Sequence, residues 1–197
     1  MENKAFVWYN HLMFYSIIKN KKDEWINSSD CKIGEFFSYI KTKGMLRDAQ
    51  IEAIEIYLFL KISCQNKPLS ELFKSGAFIK DNNIDELELS NSTKEFLKTH
   101  KAAHALYEIS CLKNEDGSSV FKDLEKAIKD DPSSINYDKV FDSIFYGVSY
   151  ADYLFSLPMG AGKTFLMACF IYIDLSFSSY RRKGQSRYSV ICRGLRN

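Results

Sequence analysis

Histidine is scarce in this sequence and paired cysteine is missing from it. Its histidines, His11, His100 and His104, are too scattered to assemble a Ser-His-Asp or Cys-His catalytic group. His100 and His104 have the i, i+4 spacing of two zinc ligands on one helix face, but the intervening "KAA" lacks the glutamate of H-E-x-x-H and no third ligand follows. The five cysteines, Cys31, Cys64, Cys111, Cys169 and Cys192, include no C-x-x-C pair. That set argues against a disulfide framework or a thiolate zinc site and for reduced thiols in the cytoplasm. There is no internal repeat and no low-complexity segment. A signal peptide is also missing: Asn10 and His11 interrupt the apolar N-terminus and no small-residue cleavage site follows, so it reads as a buried helix. The greasiest run, "YLFSLPMGAGKTFLMACFIYIDLSF", is cut by Pro158, Gly160, Gly162 and Lys163. It does not make a transmembrane helix, and no membrane partner is expected.

What is present suits a folded chain. At 197 residues with 46% hydrophobic and 26% charged side chains, there is material for one globular domain, or for one domain and part of another. Net charge is +2, but residues 178–197 carry six basic side chains and no acid. The tail could touch phosphates, though a solvated end is the plainer reading. Aromatics reach 15%, and the helical spacing of those in "FVWYNHLMFY" points to core packing rather than to a base-stacking platform.

Most of the chain reads as helix. Residues 5–19 and 33–41 have helical apolar spacing, and "GMLRDAQIEAIEIYLFLKISCQ" keeps Ile51, Ile54, Tyr57, Leu58 and Ile62 on one side. "STKEFLKTHKAAHALYEISCL" reads as one helix opened by a capping box of Ser92 and Glu95. Two shorter amphipathic segments follow, "VFKDLEKAIKDDP" stopped at Pro132 and "YDKVFDSIFYG" ended by Gly147.

The pattern then changes. "DYLFSL" is a short apolar run bounded by Pro and Gly, as for a buried parallel strand. After it come Gly160-Ala161-Gly162-Lys163-Thr164 and a segment apolar nearly all round, "KTFLMACFIYIDLSF". Strand, glycine loop, helix is the context of a phosphate loop. Glycines let consecutive N–H groups turn toward an anion, and the helix adds roughly half a positive elementary charge at its N-terminus. Lys163 would reach the β and γ phosphates, and the Thr164 hydroxyl would hold the Mg²⁺ of Mg·ATP. The first glycine of G-x-x-x-x-G-K-[ST] is replaced by Leu157.

A second stretch, "LRDAQIEAIE", resembles the glutamine motif of superfamily 2 helicases, Leu-Arg-x-Tyr-Gln before an apolar helix, with Ala49 where the aromatic residue is usual. Together with "DYLFSLPMGAGKTFLM" it looks like the first landmarks of a DEAD/DEAH-type helicase of the kind found in the helicase subunit of type III restriction enzymes. The resemblance covers about 26 residues of the chain. It implies that Gln50 reads adenine through its paired donor and acceptor, that ATP and Mg²⁺ are the cofactors, and that DNA is the partner of the parent machinery. The fold it implies is α/β, an incomplete RecA-like lobe preceded by a mainly helical region. Its parts would be N-terminal helices over 1–65, an inserted helical subdomain over 66–147, the phosphate-loop strand and helix over 148–177, and a basic tail over 178–197.

The departures matter. Gln50 and Gly162 stand 112 residues apart, where the family needs a few tens. No D-E-x-H or D-E-A-D box follows Lys163, and the one later acid, Asp174, lies in the helix leaving the loop. No catalytic residue is therefore assigned. The expected function is that of an N-terminal fragment of an ATP-dependent helicase, its frame interrupted after Phe177, which binds ATP without hydrolysing it. The alternative is a non-catalytic helical interaction module with a vestigial loop.

Overall fold

The computed structural model describes residues 2–79, 84–113, 117–119, 121–148, 150, 155, 157 and 159–181. The chain divides into two compact units, Met1–Ile18 with Asn66–Asp152, and Lys19–Gln65 with Tyr153–Asn197. Helix α1 (Glu2–Ile26) therefore contributes its first part to one unit and its end to the other.

The first unit is built from short helices, α4 (Leu69–Lys74), α5 (Asn91–Thr99), α6 (Lys101–Ser110), α7 (Lys122–Asp130) and α8 (Tyr137–Ile144). Helix α6 is central and packs against α4, α5, α7 and α8. Its Leu106 and Ile109 are buried with Leu97, Ile128 and Phe141, and Phe14 lies 5.1 Å from the rings of Phe73 and Phe145. Asn136 caps α8, its side-chain oxygen accepting from Lys139 N–H.

Two details differ from the sequence reading. The cap of α5 is Ser90, whose hydroxyl accepts from Thr93 N–H at 3.1 Å, so the helix starts before the expected Ser92–Glu95 box. The single helix expected across His100 is broken there. His100 leaves the helical region (φ −117°, ψ 92°), stacks its ring on Phe96 at 4.0 Å, and so does not share a helix face with His104.

In the second unit, α2 (Gly34–Thr42) and α9 (Lys163–Arg181) pack on α3 (Asp48–Ile62). Helix α3 is buried nearly all round, Ile51, Ile54, Leu58, Phe59 and Ile62 included, which places it at the centre. Trp25, at the end of α1, packs its ring 6.1 Å from Phe37 and 5.7 Å from Phe59.

The α/β expectation is overturned. α-Helix accounts for 67% of the residues described, and among them there is no sheet, only an isolated bridge between Lys113 and Ser119. Of the anticipated strand over 152–157, only Phe155 and Leu157 are described, and neither is in a strand; most of the basic tail lies outside the described residues. The physical reason is the supply of partners. A strand needs its N–H and C=O groups paired by a neighbour, and this sequence offers a single short apolar run before the loop. The surface a sheet would have presented to α9 is supplied by α3: Tyr57 stacks on Phe170 at 4.3 Å, while Leu166 and Ile173 are buried. An incomplete RecA-like lobe therefore does not describe this unit.

Candidate functional site

The residues singled out in the sequence converge at one end of the α3–α9 pair. Arg47, extended at φ −79° and ψ 154°, precedes the first turn of α3. The side-chain oxygen of Gln50 accepts from its backbone N–H at 2.9 Å. This is half of a capping box; a guanidinium has no acceptor with which to complete the other half. The opposite end of the same amide, Gln50 Nε2, donates to the Gly162 carbonyl at 3.1 Å. Gln50 is 4% exposed, so it is no solvent-facing helix glutamine. One residue turn away, Arg47 Nη1 donates to the Gly160 carbonyl.

The loop's geometry explains its glycines. Gly160 and Gly162 take φ values of 77° and 76°, the left-handed region that residues with a Cβ avoid. At Gly162 there is a second constraint, because a Cβ would lie 2.6 Å from Gln50 Nε2. Ala161 between them is buried. The Gly162 carbonyl also accepts the first helical bond of α9, from Leu166 N–H at 3.1 Å. The N–H groups of Lys163, Thr164 and Phe165 precede the start of that ladder, and no acceptor for them is found among the described residues.

Peptide planarity turns these contacts into an orientation. In a trans peptide the C=O of one residue and the N–H of the next point in opposite directions. With the Gly160 and Gly162 carbonyls drawn to side chains of the α3 N-terminus, the N–H groups of Ala161 and Lys163 point away from it. Together with the unbonded N–H groups at the start of α9 they make a set of donors suited to an anion. The Lys163 and Thr164 side chains are exposed, and the ammonium of Lys163 makes no ion pair among the described residues. The donor set fits a phosphate chain. For Mg²⁺ it offers the Thr164 hydroxyl alone, which suits a cation that arrives on the nucleotide and keeps most of its water.

Asp174 is placed elsewhere. Ten residues beyond Thr164 on one helix, it stands about 15 Å down the axis, where its carboxylate accepts from Tyr57 Oη at 2.5 Å and pairs with Lys61. It fastens α9 to α3 and is no Mg²⁺ ligand. Arg47, Tyr57, Lys61 and Asp174 thus join the site or its support in roles that the sequence does not assign to them. For Arg47 there was a signal, since it lies one helical turn before Gln50 within "LRDAQ".

Other chemistry is weakly supported. Burial pushes the Cys64 thiol up to about 12 and raises those of Cys31, Cys111 and Cys169, so these sulfurs stay protonated and poorly nucleophilic at neutral pH. No three His, Cys, Asp or Glu side chains gather as metal ligands among the described residues. No described helix is long and apolar enough to cross a membrane. In comparisons with protein-family models, curated proteins and solved structures, none matches the chain.

Proposed function

We propose that residues 160–164, gripped by the N-terminus of α3, bind the phosphate chain of a nucleoside triphosphate carried with Mg²⁺. The observation that supports this best is the pair of side-chain contacts onto the glycine carbonyls, Arg47 to Gly160 and Gln50 to Gly162. They orient the loop's amides before any ligand arrives, which lowers the ordering cost of binding. Lys163 supplies the mobile positive charge, Thr164 the oxygen for the cation, and α9 its dipole.

The reading is of binding alone. Hydrolysis would need a further group to position water and a carboxylate to hold the metal, and Asp174, the acid on the helix leaving the loop, is committed to Lys61 and Tyr57. From the resemblance of the two motifs to the type III restriction helicase subunit, the proposal takes ATP as the ligand, DNA as the partner of the larger machinery, and a cytoplasmic setting. It does not take the RecA-like fold. A second reading, a helical interaction module with a relic loop, is favoured by α9 itself, whose Met167, Ile171 and Leu175 form an exposed apolar row.

Equilibrium dialysis of Mg·ATP against the purified chain separates the two. Under the first, binding is saturable and falls at least about tenfold in Lys163→Ala, since a charge-assisted contact to phosphate is lost. A well-folded protein that binds no Mg·ATP, or binds it equally in the variant, would overturn that reading.

A further inference from the structure

The glutamine that the sequence offers as an adenine reader is buried and bonded to the protein through both ends of its amide. A primary amide recognises adenine by donating to N7 with its nitrogen while accepting from the N6 amino group with its oxygen. In Gln50 the oxygen is taken by Arg47 N–H at 2.9 Å and the nitrogen by the Gly162 carbonyl at 3.1 Å. The two partners also settle which end is which: a backbone N–H needs the oxygen and a carbonyl needs the nitrogen. Turning this side chain toward a base would exchange two buried hydrogen bonds for two others. It would also strip α3 of its cap and release the loop that holds the phosphates. That exchange gains nothing for adenine over guanine.

Gly162 fits the same account from the other side. A Cβ there would meet Gln50 Nε2 at 2.6 Å, so the amide is seated against the loop backbone and the loop residue has no side chain because the amide is there. The two positions, 112 residues apart, are shaped to one another rather than to a base.

We propose that Gln50 is a positioning residue for the phosphate loop, and that the site selects its ligand by the polyphosphate chain with little regard for the base. This rests on the phosphate-binding reading above. Gln50 holds the Gly162 peptide so that Lys163 N–H faces the ligand, and its own amide is turned to the protein rather than to a base edge.

The test uses the full chain and three probes, magnesium tripolyphosphate, Mg·ATP and Mg·GTP, titrated calorimetrically into the wild type, Gln50→Met and Gln50→Glu. The methionine variant keeps the length and removes both hydrogen bonds. The glutamate variant keeps the acceptor for Arg47 N–H and removes only the donor to Gly162. In the wild type the three probes should bind within about threefold of one another. Each variant should weaken all three by a common factor of about tenfold, as for loss of one oriented donor set. Agreement between the uncharged and the charged variant rules out simple charge repulsion.

Amide hydrogen exchange of the ligand-free protein supplies the readout that does not depend on binding. Exchange at Leu166, whose N–H is bonded to the Gly162 carbonyl, should quicken by about tenfold in both variants while the middle of α3 stays protected. ATP binding at least about tenfold tighter than GTP in the wild type, with that preference erased in Gln50→Met and tripolyphosphate unaffected, would overturn the proposal. If none of the three probes binds the folded wild type, the phosphate-loop reading itself fails; unchanged exchange at Leu166 would then refute the positioning role as well.

Discussion

The two units handle charged side chains in opposite ways. In Met1–Ile18 with Asn66–Asp152, the fully buried polar side chains are the hydroxyls of Thr93 and Ser110, and the lysine ion pairs stay outside: Lys74 with Asp138 and Asp142, Lys98 with Asp85 and Glu95. In Lys19–Gln65 with Tyr153–Asn197, charge and amide are taken inside. Lys22 is 2% exposed and meets Glu55 at 2.8 Å, Lys41 stands 2.7 Å from the other oxygen of Glu55, and Gln50 is buried at the loop. Buried polar groups tolerate few alternative arrangements, because each lost partner leaves an unsatisfied group. The difference teaches where a site is to be sought. A unit held by apolar packing needs only shape, whereas one that spends its interior on directed polar contacts holds particular atoms in particular places.

The largest change expected is in the first unit. Phe141→Ala removes a fully buried ring and should cost about 4 kcal/mol in urea unfolding, with Mg·ATP binding unchanged where the protein is still folded. In the second unit, Glu55→Ala leaves Lys22 buried with Asp23 as its remaining partner. It should cost about 3 kcal/mol, and a Lys22→Met, Glu55→Leu double variant should recover most of that, which purely apolar packing would not allow. A gain is expected at Gln65, which sits at φ 55°: Gln65→Gly relieves a left-handed non-glycine residue and should raise stability by about 0.5–1 kcal/mol.

The smallest effect belongs to the rim of the first unit. Hydrogen bonding from Lys129, aided by its charge, holds the Glu125 carboxyl below its ordinary value of 4.5. A carboxyl depressed in the folded state contributes stability above its unfolded value, and that contribution disappears as pH falls through the folded one. Glu125→Gln should therefore flatten the stability profile below about pH 4.5, by less than about 1 kcal/mol because the pair is solvent-accessible. A profile steeper in the variant would contradict the assignment.

Helices were readable in the sequence wherever apolar spacing was strong, as at Ile51, Ile54, Leu58 and Ile62. The break at His100 was not, because the residues on both sides continue a helical pattern and only the stacking of His100 on Phe96 marks the turn. The strand before the loop was misread for a related reason. A short apolar run bounded by Pro and Gly carries no record of whether a partner strand exists, and here α3 covers α9 instead. Gln50 was visible through "LRDAQ", but its two partners were not, since contact between positions 50 and 162 is a tertiary fact. The same holds for Lys22 and Glu55.

The most direct test of the central claim is an amide chemical-shift titration of the isotopically labelled chain with Mg·ATP. If the loop holds the phosphates as its oriented amides imply, the largest shifts will fall on Ala161, Lys163 and their neighbours in 160–165, with the amides of residues 84–113 in the first unit unmoved. Saturable binding with Ala161 and Lys163 unshifted, or with the main shifts in the first unit, would contradict the account.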